Sequence, residues 1–405
     1  MTRRVAVTGL GCISALGATP SEFWSALREA RPGIAPLQGF EPGRLRFSTA
    51  AQVRGFDPAA HFEATRLDLL DRFAQFALVA ARQAVSDAGV EWTAALRERA
   101  AVICGSSMGG QCTQDDQFAE LYGRNRERIH PLTIPRVMAN AAVSHISMEY
   151  GLTGPAFTIS SACSSSNHAL GQALELVRSG RADVALAGGS EAPLSFATLK
   201  GWEAMRVVSP DTCRPFSRDR RGLILGEGGA ILVLEPFDVA RARGARIYAE
   251  LAGAGMSADA HHITQPSEAG PARAMRAALE DAGLAPEGVG YINAHGTGTP
   301  GNDPVESRAI REVFGAHAAK LAVSSTKSLH GHALGAAGAL EAVATVLALH
   351  HGVLPPTANF TAPDPECDLD VIPNHARDAR VEAALSNSFA FGGLNAVLAF
   401  RAVAS

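Results

Sequence analysis

The segment Phe157–His168 (FTISSACSSSNH) constrains this chain most, because it predicts a buried strand that turns sharply into a helix at Cys163. Residues 157–159 are apolar enough to end a buried strand, and residues 169–177 have the apolar spacing of a helix. The serines and the asparagine between them are residue types that cap helix N-termini. The sequence therefore places one cysteine at the junction of a strand and a helix.

Cys163 would then lie at the positive end of a helix dipole, which favours the thiolate over the thiol. Its small neighbours, Ala162 and Ser164, leave the sulfur approachable. An isolated cysteine is nevertheless more often a buried structural residue. Cys163 by itself therefore does not predict a catalytic site.

Two histidine motifs further along the chain favour a catalytic rather than a structural role for Cys163. The run GVGYINAH ends at His295 and opens into a Gly- and Thr-rich loop. The run LAVSSTKSLHGH carries Lys327, His330 and His332 and leads into a long apolar helix from about Ala333. One cysteine with distant histidines is typical of nucleophilic acyl chemistry. Each motif follows a strand, and α/β sheets bind ligands at the carboxyl ends of their strands, so the pattern predicts an acyl-transfer site.

Composition narrows the class of protein. Apolar residues make up 47% and charged residues 19% of the chain, as is ordinary for a soluble globular protein. The formal net charge of −4 gives no reason to expect a nucleic-acid partner. The first residues read directly into a strand rather than a targeting peptide, and no apolar stretch predicts a membrane span. Six cysteines without CxxC spacing indicate reduced thiols and a cytoplasmic protein.

Alternating strands and helices predict an α/β protein of two similar halves, with mostly parallel sheets covered on both faces. A length of 405 residues would allow two or three domains, but no low-complexity linker separates the halves, so one compact unit is expected. Residues 236–246 are the expected passage between them. The other expected elements are strands at 101–104, 183–187, 292–294, 321–323 and 396–400 and a helix at 304–314.

Three further motifs do not indicate a site. GLGCISALG has Ser14 at the third glycine position of a dinucleotide-binding fingerprint and lacks an acidic partner at suitable spacing. The neighbouring histidines at 261–262, 330–332 and 350–351 lack the Cys or carboxylate spacing of zinc sites, so no metal is expected. Without a GxSxG motif, the serines at 164–166 favour helix capping over a serine hydrolase.

Motifs along the whole chain resemble those of the β-ketoacyl-acyl-carrier-protein (ACP) synthases, the decarboxylating type II condensing enzymes of the thiolase superfamily. The matching segments are VTGLGCISALG, SSACSSS, RPFSRDRRGLILGEGGAILVLE, NAHGTGTPGNDPVE, STKSLHGHALGAAGALE and NSFAFGGLNA. The variants KSLHGHALGA and SFAFGGLNAVL are similar to those of nodulation protein E and of polyene-pathway ketosynthases. The resemblance implies the thiolase fold, two βαβαβαββ halves in five α-β-α-β-α layers. It divides the chain into residues 1–240, with the nucleophilic cysteine, and 241–405, with two catalytic histidines.

The resemblance also implies a role for each matching residue. Cys163 would hold an acyl chain as a thioester, with its own backbone N–H and that of Phe391 as the oxyanion hole. Neutral His295 and His332 would stabilise the enolate that forms when malonyl-ACP loses CO2, and Lys327, paired with Glu306, would orient them. His330 stands where many relatives carry Thr. The remaining implied residues are Thr297 and Thr299 for the phosphopantetheine arm, Asp303 as a supporting residue, and Phe389, Met108, Leu132 and Thr133 for substrate binding.

Departures from the family pattern bear on partners and substrate. Ala390 and Leu394 replace the Gly and Thr of the housekeeping enzymes, and Glu63–Arg72 lacks their basic ACP-docking cluster, although Arg206 is retained. The resemblance therefore implies a dedicated carrier protein and no bound cofactor, because the substrates travel on the phosphopantetheine of ACP. A dimer is expected, with Leu132 and Thr133 reaching the partner's pocket. Thr133 replaces a bulky aromatic residue, which predicts a pocket for long or polyunsaturated chains.

Related activities can be weighed on single residues. A thiolase would need a second cysteine near the C-terminus, and none follows Cys367. A type III initiating synthase would carry Asn in place of His332, and a chain-length-factor-like subunit would lack Cys163. A housekeeping elongation synthase remains the alternative, and so does the catalytic subunit of a heterodimer with a chain-length-factor-like partner.

Overall fold

The computed structural model describes residues 3–41 and 43–403. Its strands are β1 Val5–Ser14, β2 Ala35–Pro36, β3 Thr49–Ala50, β4 Ala100–Gly105, β5 Ala156–Ile159, β6 Val184–Glu191, β7 Gly228–Pro236, β8 Ala249–Ala258, β9 Tyr291–Asn293, β10 Ala322–Ser324, β11 Val353–Leu354, β12 Arg377–Asp378, β13 Ala383–Ala390 and β14 Leu394–Arg401. Its α-helices are α1 Pro20–Arg28, α2 Ala64–Leu67, α3 Arg72–Ala88, α4 Ala94–Glu98, α5 Gln111–Phe118, α6 Thr133–Val137, α7 Ala141–Tyr150, α8 Ser165–Arg178, α9 Phe196–Met205, α10 Phe237–Ala242, α11 Ala269–Ala282, α12 Asn302–Phe314, α13 Lys327–His330 and α14 Ala337–His351.

Ten strands form one sheet with the order β10-β9-β13-β14-β8-β1-β7-β6-β4-β5. Read outward from the centre, β1-β7-β6-β4-β5 and β8-β14-β13-β9-β10 repeat the same pattern of two antiparallel and then two parallel pairings. Among the described residues, the two half-sheets are hydrogen-bonded to each other where Ala6 and Val7 of β1 pair with β8. Among the strands of this sheet, each half runs βαβαβαββ along the chain, so the predicted α/β class with two similar halves is confirmed. The prediction of mostly parallel sheets is wrong, because five of the nine strand pairings in this sheet are antiparallel.

The helices give the structure five layers. Helix α3 covers one face of the first half-sheet, and α11 covers the corresponding face of the second. Helices α8 and α14 pack against each other between the half-sheets, where each contacts strands of both halves. Small side chains allow this close packing, since the buried residues of α8 include Ala169, Gly171 and Ala173, and those of α14 include Ala337, Gly338, Ala339, Ala342, Ala344 and Ala348.

Helix α14 explains the apolar run that follows His332. Within the described residues, the stretch Leu334–His351 is long and apolar enough to cross a membrane, but 89% of it is buried inside the protein. A helix that contacts protein on all sides is apolar all round. The expected helix start near Ala333 is corrected to Ala337, because residues 334–336 form a 3₁₀ turn.

Two local predictions around the cysteine are wrong. Strand β5 is present, but it lies at the edge of the sheet, and Phe157 is 39% exposed rather than buried. Helix α8 begins at Ser165, four residues earlier than expected, and the residue before it, Ser164, makes no side-chain cap hydrogen bond. Instead the Ser165 hydroxyl donates to the Ala162 carbonyl and accepts from the Ser161 N–H. The serines therefore fix the turn before the helix.

Candidate active site

Cys163 lies in a tight turn between β5 and α8. The preceding residue, Ala162, has a φ of +51°, a left-handed conformation that costs a non-glycine residue about 1–2 kcal/mol. Cys163 itself is buried, and its carbonyl accepts a hydrogen bond from the Ser388 hydroxyl at 3.0 Å. The turn thus holds the sulfur in a fixed position at the carboxyl end of β5.

His332 contacts the sulfur directly. Its Nε2 lies 3.1 Å from Cys163 Sγ, and its Nδ1 accepts a hydrogen bond from the Leu334 N–H at 3.2 Å. Because Nδ1 is an acceptor, the proton of the neutral ring lies on Nε2. His332 therefore presents an N–H donor to Cys163.

His295 has the same arrangement on the other side of the site. It follows β9, its ring lies 5.4 Å from that of His332 centroid to centroid, and its Nδ1 accepts a hydrogen bond from Lys327 Nζ at 3.2 Å. Burial, with the nearby Lys327 charge as a second cause, holds the pKa of both imidazoles well below the usual value. Both rings are therefore neutral Nε2–H donors.

The predicted pairing of Lys327 with Glu306 is wrong. Lys327 forms a fully buried ion pair with Glu341 of α14, and its Nζ also donates to the His295 carbonyl at 2.7 Å. The Glu306 carboxylate instead accepts hydrogen bonds from the backbone N–H groups of His295 and Gly296, both at 2.8 Å. The two carboxylates thus fix His295 from opposite sides, Glu341 through Lys327 and Glu306 through the backbone.

The expectation that the helix dipole favours the Cys163 thiolate is also corrected. Burial raises the pKa of this thiol to about 11, although Lys327 and the backbone N–H groups of Phe391 and Cys163 act in the opposite direction. Removing the sulfur from water disfavours its charged form more than the neighbouring positive groups favour it. The resting residue is a protonated thiol.

The backbone N–H groups of Phe391 and Cys163, which are expected to form the oxyanion hole, both lie at the sulfur. Their hydrogen bonds to the sulfur lower the pKa of the Cys163 thiol, in opposition to burial. Phe391 belongs to the turn that joins β13 to β14, where Gly392 and Gly393 have φ values of +82° and +68°. Only glycine adopts this conformation without strain, so the glycines allow the turn to fold back over Cys163.

A cavity of about 230 Å³ leads to the sulfur, and Cys163, His295 and His332 lie in its wall together with Thr297, Thr299, Phe389, Phe391 and Arg206. The two threonine hydroxyls hydrogen-bond each other at 2.8 Å. Beneath them Asp303 accepts the N–H groups of Phe216 and Gly298, and burial raises its pKa to about 6. Asp303 therefore supports the loop that carries the threonines.

The remaining candidate residues lie away from this cavity. Met108 is partly exposed on the loop after β4, where its N–H bonds to the buried carboxylate of Glu191. Thr133 is buried at the start of α6 and donates its hydroxyl to the His130 carbonyl, and Leu132 precedes it. Met108, Leu132 and Thr133 are therefore not among the residues that line the cavity at Cys163.

His330 is buried but turned away from the sulfur. Its Nδ1–H donates to the Gly331 carbonyl at 2.8 Å, and its Nε2 accepts from the Thr326 hydroxyl at 3.0 Å. Burial lowers the pKa of His330 to about 3, so this ring is neutral. Of the two histidines in the HGH motif, only His332 faces the cysteine.

The site brings together three residues that could bind a metal ion, since the donor atoms of Cys163, His295 and His332 all lie within 4.8 Å of one another. A metal-binding imidazole must offer a free lone pair on one nitrogen and usually donates its other N–H to an acceptor. Here both Nδ1 atoms accept hydrogen bonds, from Leu334 and Lys327, which leaves the protons on the inward-facing nitrogens. The arrangement suits an anion rather than a metal ion.

A larger surface concavity of about 730 Å³ lies at the opposite, amino ends of the parallel strands. Most of its charged groups form ion pairs, among them Arg3 with Asp183 and Arg243 with Glu235. Among its described lining residues there is no cysteine, serine, threonine or lysine.

Sequence reasoning missed three residues of the site: Glu341, Leu334 and Ser388. Glu341 had a visible signal, since it is the one charged residue in the otherwise apolar helix α14 before its terminal histidines. Leu334 acts through its backbone N–H, which no residue pattern reveals. Ser388 becomes relevant only because β13 passes behind Cys163.

Comparison with known proteins identifies the family of this chain. Residues 2–240 match the family "Beta-ketoacyl synthase, N-terminal domain", and residues 248–361 match "Beta-ketoacyl synthase, C-terminal domain". This chain belongs to the β-ketoacyl synthase family. The β-ketoacyl synthase is 48% identical over 403 residues to nodulation protein E of Rhizobium sp. (strain N33), with both chains fully covered. It is 43% identical to 3-oxoacyl-[acyl-carrier-protein] synthase 2 of Coxiella burnetii (strain RSA 493 / Nine Mile phase I), over 99% of each chain.

A solved structure supports the fold as well. The ishigamide ketosynthase/chain length factor superimposes with a TM-score of 0.95 at 39% identity, over the full length of both chains. The thiolase fold implied by the sequence is therefore confirmed. The β-ketoacyl synthase is a condensing acyltransferase of fatty-acid or polyketide-type biosynthesis.

Proposed function

We propose that this β-ketoacyl synthase condenses an acyl group held on Cys163 with malonyl-ACP, with loss of CO2, in a specialised pathway. The observation that carries the proposal is the contact of Cys163 Sγ with His332 Nε2 at 3.1 Å, in a site where both imidazoles are neutral N–H donors. Each half of the reaction makes use of these donors. The proposed location is cytoplasmic, and no cofactor beyond the carrier's phosphopantetheine takes part.

In the first half, the Cys163 sulfur attacks the thioester carbonyl of an acyl-ACP. The C–S bond to Cys163 forms, the C–S bond to the phosphopantetheine breaks, and the thiol proton leaves with the released carrier thiol. The oxyanion of the tetrahedral intermediate accepts the N–H groups of Cys163 and Phe391, which lie at the sulfur. The phosphopantetheine arm lies along Thr297 and Thr299 in the cavity.

In the second half, malonyl-ACP loses its carboxylate as CO2, and the electron pair of the broken C–C bond forms an enolate. The enolate oxygen accepts hydrogen bonds from Nε2–H of His295 and of His332. The enolate carbon then attacks the acyl-enzyme carbonyl, which forms the new C–C bond and breaks the C–S bond to Cys163. Cys163 leaves as a thiolate and takes up a proton from water to return to the resting thiol. Lys327 and Glu341 are positioning residues here, because they hold His295 rather than the substrate.

Support for a specialised rather than a housekeeping pathway comes from the similarity to nodulation protein E and to a ketosynthase/chain length factor structure. The housekeeping elongation function is the second candidate, favoured by the 43% identity to 3-oxoacyl-[acyl-carrier-protein] synthase 2. Mass spectrometry of the acyl group on Cys163, after incubation with a series of acyl-ACPs, distinguishes the two candidate functions. Trapping of long or polyunsaturated chains supports the specialised function, whereas equal use of saturated medium chains supports the housekeeping function.

We also propose that the active enzyme is a dimer, either of two identical chains or with a ketosynthase-like partner subunit. The support is an exposed apolar face beside edge strand β5, whose unpaired backbone is free to pair with another chain. The partly or largely exposed apolar side chains of this region are Met108, Phe118, Tyr122, Ile129, Ile134, Met138, Met148 and Phe157. Thr133 of α6 lies within the same segment.

The dimer gives a prediction for chain length. Thr133→Phe should shorten the longest product, because the ring would fill pocket space that the small threonine leaves open to the partner's acyl chain. The measurement is the product profile by mass spectrometry, with Thr133→Ser as the control of similar size. An unchanged profile in Thr133→Phe would rule out this pocket, because a closely packed interior would then have filled the space already.

The carrier gives a second prediction. Arg206 is exposed at the C-terminus of α9 and lies at the mouth of the cavity. Arg206→Glu should lower kcat/KM for acyl-ACP about 10-fold at low salt, and the effect should shrink as ionic strength rises. Arg218→Glu, a charge reversal outside the cavity wall, serves as the control. An effect independent of salt, or equal use of the housekeeping and the dedicated carrier, would contradict this docking role.

A further inference from the structure

Trp202 contacts the turn that carries Phe391. The indole and the Phe391 ring are stacked, with centroids 6.0 Å apart and planes 22° apart. Both side chains are half-buried, and both lie in the wall of the cavity that leads to Cys163. A stacked aromatic pair of this kind is favourable beyond the surface area that it buries.

The stack adds a side-chain contact to the backbone hydrogen bonds that hold this turn. Gly392 and Gly393 follow Phe391 in left-handed conformations, and glycine gives the backbone little resistance to rearrangement. On one side the Gly392 N–H donates to the Ile263 carbonyl at 2.7 Å. On the other side the Trp202 indole holds the Phe391 ring. The position of the Phe391 N–H at Cys163 therefore depends on a side-chain contact.

Trp202 itself is held by an apolar cluster. It lies on α9 and packs against a small apolar cluster that includes Leu199, Leu225 and Leu334. The same Leu334 donates its N–H to His332. Arg206 ends α9 one turn after Trp202. Helix α9 and this apolar cluster thus connect Arg206, the proposed docking residue, with His332 and with the Phe391 turn.

We infer that Trp202 is a positioning residue for acyl transfer, which holds the Phe391 N–H in the oxyanion hole through the stack of the two rings. This inference rests on the proposed oxyanion role of Phe391. It assigns a task to a residue that touches neither the sulfur nor the histidines.

Kinetics test the inference. Trp202→Ala should slow acylation of Cys163 by acyl-ACP by about 10- to 100-fold, since small displacements of catalytic groups cost rates of this order. Alkylation of Cys163 by iodoacetamide, which needs no oxyanion hole, should be unchanged or faster. Trp202→Phe should restore acylation, because a ring can still stack. Trp92→Ala, at another half-buried tryptophan away from the cavity, is the matched control.

Fluorescence gives an independent measurement, because the chain has only three tryptophans. Acylation should change the tryptophan emission of the wild-type protein and of Trp92→Phe, but not of Trp202→Phe. Normal acylation by Trp202→Ala, or a fluorescence change that survives in Trp202→Phe, would overturn the inference. Failure of the proposed function is distinguishable, because wild-type Cys163 would then not be acylated at all.

Discussion

Cys163→Ala should abolish condensation and all acylation of the protein while leaving the fold intact. Removing the nucleophile of an acyl-transfer enzyme lowers the rate by a factor on the order of 10⁴–10⁶. The substitution is small, and it leaves the backbone hydrogen bond from Ser388 in place. The measurements are condensation activity, mass spectrometry of the acylated protein, labelling by the ketosynthase inhibitor cerulenin, and the unfolding temperature.

The control for this experiment is Cys112→Ala. Cys112 is half-buried, its Sγ donates to the Ala192 carbonyl at 3.4 Å, and burial raises the pKa of its thiol. It should therefore be inert, and its removal should leave both activity and labelling unchanged. Acylation that persists in Cys163→Ala would show that another cysteine carries the chain, which would refute the proposed nucleophile.

His332→Ala and His295→Ala should each slow malonyl decarboxylation by about 10²- to 10³-fold, because each removes one N–H donor to the enolate oxygen. The measurement is CO2 release from malonyl-ACP, which reports this step without the condensation. His330→Thr is the matched control from the same motif. It should have little effect, since His330 faces away from Cys163. Strong loss in His330→Thr with normal decarboxylation in His332→Ala would reverse the assignment.

The pH dependence of decarboxylation follows from the same groups. Burial lowers the pKa of His295 and His332 well below the usual histidine value, so both stay neutral as the pH falls through that value. Decarboxylation should therefore stay level across the ordinary titration range of histidine. A rate that falls on acidification with an ordinary histidine pKa would show that the rings become cationic, contrary to the donor role derived from their hydrogen bonds.

The sequence predicted the local elements around the site because their signals are local. The apolar runs before Cys163, His295 and Lys327 do form β5, β9 and β10, and each reactive residue follows its strand. The repeated order of strands and helices predicted two similar halves. The motifs also identified the family, since they recur from one end of the chain to the other.

The burial of individual groups could not be predicted in the same way. The Cys163 thiol was expected to be ionised, and the pairing of Lys327 was assigned to Glu306. In the structure, desolvation raises the thiol pKa and Glu341 takes the ion pair. Both outcomes depend on what surrounds a side chain in space. Glu341 lies 14 residues from Lys327 on another helix, and no spacing rule connects them.

The sequence by itself determined which residues could do the chemistry and which element each of them would follow. The tertiary structure decided that they meet, for β5 and β10 stand at opposite ends of the strand order. Cys163 and His332 come within 3.1 Å because α8 and α14 pack against each other between the half-sheets. The physical reason is that the close packing of the small residues in this middle layer brings the two half-sheets together, and with them residues far apart in the chain.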